Sequence, residues 1–307
     1  MITLRKATER MHVRRQRREA WLTFSSQDPS PLLARGFGHL RALDEGRLPP
    51  RTSRRQPLRV DTEVITYVRE GTLAYEDSTG RAGLISAGEF QRMTAGRGIR
   101  YGETNASPTE WAHVFQIWLR PSVVGLVAGH EQKRFSFAER RGALCVVASP
   151  DGQKGSLLIH QDAFLFSTIL GRGQHLIHEL ADGRCAWLHI VQGAVRCGDI
   201  GMVTGDGAGM TGEQAVSMTA TEETELLLLD LGAIAFTQPI RARLRLSEPP
   251  VGARPRVGRD LPTDDALSVW EDEGGSGAVP PPQRSDEPSR SFPPPGDLGR
   301  VRHAHAV

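Results

Sequence analysis

Short apolar runs, each closed by a turn signal, make up the chain from residue 37 to residue 119. A run of β-branched and aromatic residues at 64–68 stops at Gly71, and the next, 72–75, stops in the turn sequence DSTG at 77–80. Turn signals recur about every 8–12 residues, and no amphipathic helix separates them. The pattern predicts antiparallel hairpins arranged as a sandwich or a barrel.

The same pattern of short apolar runs closed by turn signals resumes after a linking segment at residues 121–134. The four leucines at 226–229 form an unbroken apolar run, which is typical of a strand buried on both faces. We therefore predict two β-domains in tandem. The strand candidates of the second domain are Leu144–Ala148, Ser156–His160, Ala186–Val191, Ala194–Cys197, Ala215–Met218 and Glu225–Leu231.

The last 70 residues have a different composition. Twelve of the 20 prolines lie after Thr237, together with a Gly-Gly-Ser-Gly stretch and few apolar residues. Such a segment cannot recover its ordering entropy by burying apolar surface, so we predict a disordered tail over 238–307. The predicted domains are then 1–125 and 126–237.

Composition and charge exclude several classes of protein. A net charge of +2 gives no overall attraction to nucleic acid or to acidic lipid. The first 25 residues carry too many charges for a signal peptide, and no apolar run is long enough for a membrane span. Three cysteines without C-x-x-C spacing indicate neither a disulfide framework nor a thiolate zinc site. We expect a soluble, cytoplasmic protein without a membrane partner.

Several segments resemble the pirin family, bicupins that include proteins with quercetin 2,3-dioxygenase activity. They are TEVITYVREGTLAYEDSTG, SAGEFQRMTAGRGI and HVFQIWL, and the opening MITLRKATER and the later KGSLLIHQDAFLF resemble the bacterial members. The resemblance covers roughly residues 1–232. It implies an all-β fold of two tandem cupin barrels of the jelly-roll type, followed by the disordered tail.

The resemblance also implies one mononuclear Fe or other divalent transition metal in the first barrel. The family's ligands are two His of an H-P-H segment before E-x-x-T-Y-V, a third His, and a Glu two residues after it. Residues i and i+2 of a strand point to the same face, so an H-x-H segment directs two imidazoles into one cavity. Three imidazoles and a carboxylate suit a borderline divalent ion.

This sequence departs from the family at those positions. Counted back from Glu63 without gaps, the two His positions fall on Pro57 and Arg59, and a slip of one residue gives Gln56 and Leu58 instead. The third His position is Tyr101, so that Glu103 alone is retained. One ligand of four cannot hold a transition metal, and the sequence therefore predicts no cofactor.

Pro57, Arg59, Tyr101 and Glu103 define a candidate ligand pocket in place of the metal site. In this hypothesis Arg59 lies near Glu103 and supplies a fixed positive charge, while Tyr101 donates a hydroxyl. Such a pocket would take a small anionic or phenolic ligand. The alternative, which we favour slightly, is that Arg59 points to solvent and Glu103 is hydrated, because Pro57 could bend the strand.

Two other interpretations of the residues are weaker. A replacement metal set of His39, His113, Tyr101 and Glu103 is not favoured, because a lone His on a strand is more often structural. Two basic runs could contact phosphates, but no nucleic-acid recognition motif accompanies them, so solvated loops are the favoured interpretation. The runs consist of Arg14, Arg15, Arg17 and Arg18, and of Arg51, Arg54, Arg55 and Arg59.

Three functions follow from these observations. The favoured one is a pirin-like bicupin that has lost its metal, has no catalytic residues and acts as a small-ligand-binding or regulatory protein. The first alternative is a metal-dependent enzyme like the quercetin 2,3-dioxygenases of the family. The second is an adaptor that binds nucleic acid through its basic runs or a protein partner through its tail, although nucleic acid is not favoured.

Overall fold

The computed structural model of this protein describes residues 1–15, 17–25 and 33–233, with the backbone but not the side chains of residues 56 and 57. The predicted disordered tail, 238–307, lies outside the described residues. None of the helices in the described part has the length and the apolar run that a membrane-spanning helix requires.

Strands account for most of the regular structure in these residues. One short helix, α1 (Phe137–Arg140), and two 3₁₀ turns, Ala7–Glu9 and Gln153–Gly155, interrupt them. The strands are β1 (Ile2–Arg5), β2 (Met11–Arg15), β3 (Arg18–Leu22), β4 (Leu40–Leu48), β5 (Ser53–Arg59), β6 (Glu63–Glu70), β7 (Thr72–Asp77), β8 (Ala82–Ser86), β9 (Glu89–Thr94), β10 (Ile99–Asn105), β11 (Ala112–Leu119), β12 (Gly129–Arg134), β13 (Cys145–Ser149), β14 (Leu157–Leu158), β15 (Ala163–Leu170), β16 (His175–Glu179), β17 (Cys185–Gln192), β18 (Ala194–Cys197), β19 (Ile200–Val203), β20 (Gly207–Thr211), β21 (Ala215–Ala220) and β22 (Thr224–Leu231).

These strands form two barrels, each built from a seven-stranded and a four-stranded sheet. In the first barrel the strand orders are β12-β9-β6-β11-β4-β3-β2 and β5-β10-β7-β8. In the second they are β1-β20-β17-β22-β15-β13-β14 and β16-β21-β18-β19. The ladders are antiparallel except for the short β13–β14 pair. The predicted all-β fold of two tandem cupin barrels is confirmed.

The predicted domain limits stay a prediction. Two strands pair with the barrel on the other side of the predicted limit at residue 125. β1 pairs with β20 and so extends a sheet of the second barrel, although it opens the chain. β12 pairs with β9 and so belongs to the first barrel, although it follows residue 125. Each barrel therefore has an outer strand contributed from beyond its predicted limits.

The two seven-stranded sheets pack face to face and share one apolar core. Every residue of β11 is buried: Phe115 packs into the shared core, while Val114 and Trp118, on the opposite face, pack inside the first barrel. The leucines of β22 alternate in the same way, Leu227 toward the shared core and Leu228 toward the interior of the second barrel. The prediction that 226–229 is a strand buried on both faces is confirmed.

Candidate functional site in the first barrel

The candidate site is built on β10, whose side chains alternate between the barrel interior and the outside. Tyr101 and Glu103 are two residues apart, so they share the inward face. Tyr101 is 5% exposed and Glu103 is 1% exposed. Their closeness is direct, because the Tyr101 hydroxyl donates a hydrogen bond of 2.6 Å to Oε1 of Glu103.

A guanidinium from the neighbouring strand neutralises Glu103. Arg54 lies directly opposite Glu103 in the β5–β10 ladder, and Nε and Nη2 of Arg54 both contact Oε2 of Glu103. Arg54 is itself only 2% exposed. Opposed residues of antiparallel strands lie side by side on one face, so the ladder register alone brings the two charges together.

A third strand completes the set of donors around Glu103. Gln116 of β11 donates from Nε2 to Oε1 of Glu103 at 2.9 Å and to the Tyr101 hydroxyl at 2.8 Å. Oε1 of Glu103 therefore accepts two hydrogen bonds, whereas Oε2 accepts one from Nε of Arg54 and lies in ion-pair contact with Nη2. Charge-assisted hydrogen bonds of this kind are about twice as strong as neutral ones.

Tyr101 remains a neutral phenol in this setting. Complete burial raises the pKa of Tyr101 well above its ordinary value, and the negative charge of Glu103 raises it further. The hydroxyl is thus a fixed donor toward Glu103 and an acceptor from Gln116.

In the ligand-pocket hypothesis, Arg59 supplies the positive charge beside Glu103. In the structure, Arg54 supplies that charge instead. Arg59 is inside the barrel, where its guanidinium carbon lies 4.7 Å from the centre of the Trp118 ring. The favoured alternative, in which Arg59 points to solvent and Glu103 is hydrated, is wrong: Arg59 is 6% exposed and Glu103 is enclosed by protein donors. Pro57 lies on the backbone of β5, and the assignment of these residues to a ligand pocket stays a prediction.

A β-bulge explains why Arg54 rather than Arg55 faces Glu103. The ladder pairs Ile99 with Arg59 but Tyr101 with Gln56, which is a shift of one residue. Without the shift Glu103 would lie opposite Arg55, and a slip of one residue exchanges the two faces of a strand. Arg55 is consequently exposed and Arg54 is buried.

The interpretation of the basic runs as solvated loops is wrong for their inward members. Arg18, Arg54 and Arg59 lie on strands and are 7%, 2% and 6% exposed. A buried guanidinium requires partners. Arg18 donates to the carbonyl of Ser53 at 3.5 Å, Arg54 pairs with Glu103, and Arg59 lies over the Trp118 ring. The exposed members of the runs, such as Arg14, remain on the surface.

The histidines named as replacement ligands lie elsewhere. His113 faces away from Glu103, and its Nε2 lies 2.8 Å from Oε1 of Glu45, a carboxylate that also pairs with Arg10. His39 lies beside the backbone of Ala233, where burial lowers its pKa. The proposed replacement set therefore does not come together.

The donor set at the site does not fit the family's metal. Within the residues that the structure describes, no three His, Cys, Asp or Glu side chains are grouped so that they could hold a metal ion. Glu103 has its lone pairs engaged by Arg54, Tyr101 and Gln116. A divalent cation here would meet one occupied carboxylate and a buried guanidinium, so we derive no chemistry through a metal.

Sequence reasoning found Tyr101 and Glu103 but missed the roles of Arg54 and Gln116. Gln116 carried a usable signal: it is the polar residue in the apolar strand HVFQIWL, on the same face as Val114 and Trp118. A buried side-chain amide usually has hydrogen-bond partners, so it indicates that other polar groups lie nearby. Arg54 carried no such signal, because a bulge of one residue decides its direction.

Comparison with known families matches both halves of the chain. The pirin family model matches residues 7–119, and the model of the quercetinase C-terminal cupin domain matches residues 146–231. The two matches correspond to the two barrels.

Among curated proteins, the chain is similar to quercetin 2,3-dioxygenase of Escherichia coli K12. The two are 37% identical over 231 residues, which is 75% of this chain and 99% of that protein. The chain is also 32% identical to the pirin-like protein of Caulobacter vibrioides over 207 residues, 67% of this chain and 88% of that protein.

Among solved structures, the chain is similar to YhhW from Escherichia coli. The TM-score is 0.72 at 37% identity, and the match covers 76% of this chain and 99% of that one. The structure of the same bacterial pirin in complex with nickel(II) matches with a TM-score of 0.70 at 36% identity, over 76% of this chain and 100% of that one.

Proposed function

This chain belongs to the pirin family of bicupins, and from this premise we propose that it is a non-catalytic binding or regulatory protein whose first barrel holds no transition metal. Its partner in this proposal is a small anionic or phenolic molecule.

The observation that carries the proposal is the full engagement of Glu103. Two Arg54 nitrogens occupy one carboxylate oxygen, and Tyr101 and Gln116 occupy the other. The guanidinium supplies the positive charge that a metal ion would otherwise bring, and it is fixed by the fold. A metal would have to displace a buried cation, which would then be left without its counter-charge at a cost of several kcal/mol, about 3–5.

The second candidate is a metal-dependent dioxygenase, and the names of the relatives favour it. Quercetin 2,3-dioxygenase of Escherichia coli K12 is 37% identical, and the Escherichia coli pirin YhhW has been crystallised with nickel(II). Fold does not by itself transmit chemistry, because chemistry depends on the residues at the site. For this chain the enzyme hypothesis requires a ligand set other than the family's, since three of the four family positions hold Pro57, Arg59 and Tyr101.

Metal content separates the two candidates. The full-length protein, purified without a His tag and dialysed, is measured for Mn, Fe, Co, Ni, Cu and Zn by inductively coupled plasma mass spectrometry. His303 and His305 form an H-x-H pair that can chelate nickel weakly, so a variant with both histidines changed to Ala is measured beside it. The nickel-binding Escherichia coli pirin is the positive control.

We expect well under one equivalent of any of these metals in both preparations of this protein. A stoichiometric metal that survives the loss of both tail histidines, together with turnover of quercetin, would overturn the proposal and establish the enzyme.

A further inference from the structure

Exposed aliphatic side chains gather at one end of the first barrel, where β5, β9 and β11 end and β10 and β12 begin. The least exposed of them is 46% exposed and the most exposed is 89% exposed. Single exposed apolar residues are normal on a protein surface, whereas a contiguous group of them marks an interaction site. We call this group the apolar patch, and it consists of Leu58, Val60, Val123, Val124 and Val127.

The turn between β9 and β10 brings the two segments of the apolar patch together. Leu58 and Val60 lie over Gly98, because a β-carbon placed on Gly98 would stand 3.4 Å from Cδ1 of Leu58 and 3.9 Å from Cγ2 of Val60. On the other side of the same turn, a β-carbon on Gly96 would collide with the carbonyl oxygen of Leu126. Both segments therefore meet around one turn, and the patch is continuous.

The loop that carries the three valines is fixed by hydrogen bonds on both sides of them. The Ser122 amide donates to the carbonyl of His160 at 2.7 Å, and the Gly125 amide donates to Oδ1 of Asp61 at 2.7 Å. Val124 is nevertheless 70% exposed and Val127 is 89% exposed. These two side chains therefore stand out from a loop whose backbone is held in place.

Four exposed guanidiniums surround the apolar patch. Nε of Arg97 lies 3.9 Å from the place of a β-carbon on Gly125, inside the loop. Nη1 of Arg81 lies 3.7 Å from the place of a β-carbon on Gly129, where the loop ends. Within the described residues none of the four guanidiniums forms an ion pair. The four residues are Arg81, Arg97, Arg100 and Arg120.

The carboxylates at this end of the barrel do not balance those charges. Glu63 is fully buried, and so is the side chain of Asp77. Glu131 pairs with two basic side chains. Asp61, which accepts from the loop, and the exposed Glu76 beside β10 remain without a basic partner among the described residues. Two such carboxylates against four guanidiniums leave a surplus of two positive charges around the patch.

The shape and the charge of this surface select its occupant. A second copy of the chain would bring two basic rims together, which like-charge repulsion disfavours. A partner helix lays its apolar face into a groove, whereas Val124 and Val127 stand outward. A bilayer accepts protruding apolar side chains at the boundary of headgroups and acyl chains, and anionic headgroups attract arginine.

We propose that the apolar patch docks on an anionic phospholipid surface, with Val124 and Val127 at the headgroup–acyl boundary and Arg97 and Arg120 on the lipid phosphates. The net charge of +2 gave no sign of this attraction, because it averages over the whole chain while the attraction acts within about one Debye length, about 8–10 Å. The inference goes beyond the proposed function, since neither Glu103 nor a small ligand takes part in it.

The test is cosedimentation of the full-length protein with sucrose-loaded vesicles. One set of vesicles is phosphatidylcholine alone, and the other contains about one-third phosphatidylglycerol. We expect the partition coefficient on the anionic vesicles to be at least about tenfold higher, and to fall as salt is raised. Equal partition on the two kinds of vesicle, or no binding to either, would overturn the proposal; in the second case an acidic protein surface becomes the occupant.

Two paired variants locate the contact. Val124→Ser with Val127→Ser removes apolar surface without changing the charge, and should lower the partition coefficient about fivefold or more. Arg97→Gln with Arg120→Gln should lower it about tenfold or more. Both pairs are exposed, so the fold is preserved.

Matched controls come from the second barrel. Ile177→Ser with Val203→Ser changes two apolar side chains that are 57% and 54% exposed, and Arg172→Gln with Arg196→Gln removes two exposed charges. Both control variants should partition like the parent. Residues 238–307 are unchanged in every variant, so a selective loss in the patch variants reports on the patch.

Three other results would refute or isolate the inference. Parental partition of the Val124→Ser, Val127→Ser variant would mean adsorption by charge alone and would refute the docking patch. A dimer in sedimentation velocity that this variant dissociates would assign the patch to a second copy instead. A stoichiometric metal in the first barrel, together with vesicle binding that the patch variants lose, would refute the proposed function and support the docking patch.

Discussion

Changing Arg54 to Met should destabilise the first barrel strongly, because it removes the counter-charge of Glu103 and leaves the carboxylate inside. Methionine keeps much of the apolar length of the arginine side chain, so the perturbation is mainly the loss of charge and of hydrogen bonds. Tyr101 and Gln116 would still donate to Oε1 of Glu103, but Oε2 would lose its hydrogen bond from Nε of Arg54 and its ion-pair contact with Nη2.

The expected magnitude follows from the burial of the pair. Arg54 is 2% exposed and Glu103 is 1% exposed, so neither charge is screened by water. Removing one partner of such a pair typically costs about 3–5 kcal/mol. In a folded region of this size, that corresponds to a fall in the melting temperature of the order of 10 °C.

Urea unfolding and thermal melting of the parent and the variant at pH 7 measure the loss. Arg55→Met is the matched control, because Arg55 is the next residue on β5 and points outward. We expect it to change the free energy of unfolding by no more than about 0.5 kcal/mol.

The double variant Arg54→Met with Glu103→Leu sharpens the test. Replacing a buried ion pair by apolar residues of similar volume is often neutral or stabilising by about 1–4 kcal/mol, so the double variant should be more stable than Arg54→Met alone. A loss below about 1 kcal/mol in Arg54→Met, or a double variant less stable than the single one, would refute the reasoning that Arg54 compensates the charge of Glu103.

Three further predictions concern groups outside the interior of the first barrel. Burial, the largest single effect, raises the pKa of Glu45, but the hydrogen bonds and positive charge from His113 and Arg10 together outweigh it and lower that pKa from 4.5 to about 2. Glu45→Gln should therefore cost about 3 kcal/mol at pH 6 and progressively less as the pH falls from 4.5 toward 2, measured by urea unfolding. Complete burial lowers the pKa of His189 from 6.5 to about 3, and neither ring nitrogen meets a hydrogen-bond partner within the described residues. In the unfolded chain this histidine takes up a proton below about pH 6.5, which favours unfolding as the pH falls. His189→Leu should therefore raise the melting temperature by a margin that grows between pH 7 and pH 4. Leu228→Ala leaves a cavity at a fully buried position of β22 and should lower the free energy of unfolding by about 2–5 kcal/mol. Val203→Ala, at a residue that is 54% exposed, should lower it by no more than about 0.5 kcal/mol. Equal losses in the two variants would contradict the assigned burial.

Local pattern in the sequence was enough to predict the class of fold. Apolar runs closed by turn residues predicted strands, and the leucine run at 226–229 predicted a strand covered on both sides, as the structure has it. The same pattern gave no indication that β1 pairs with β20, because that ladder joins residues about 200 positions apart. Hydrophobic periodicity indicates which face of a strand is buried, but it does not indicate which other strand pairs with it.

The sequence by itself determined that Tyr101 and Glu103 share one face of a strand. Only the tertiary structure decided which guanidinium pairs with Glu103, since a bulge of one residue in β5 exchanges the inward and outward faces and selects Arg54 over Arg55. The apolar patch was likewise decided by packing, because its two segments are far apart in the chain and meet only around the turn between β9 and β10. The alternation of side chains along a strand is a local property, whereas register and contacts between sheets depend on the whole fold.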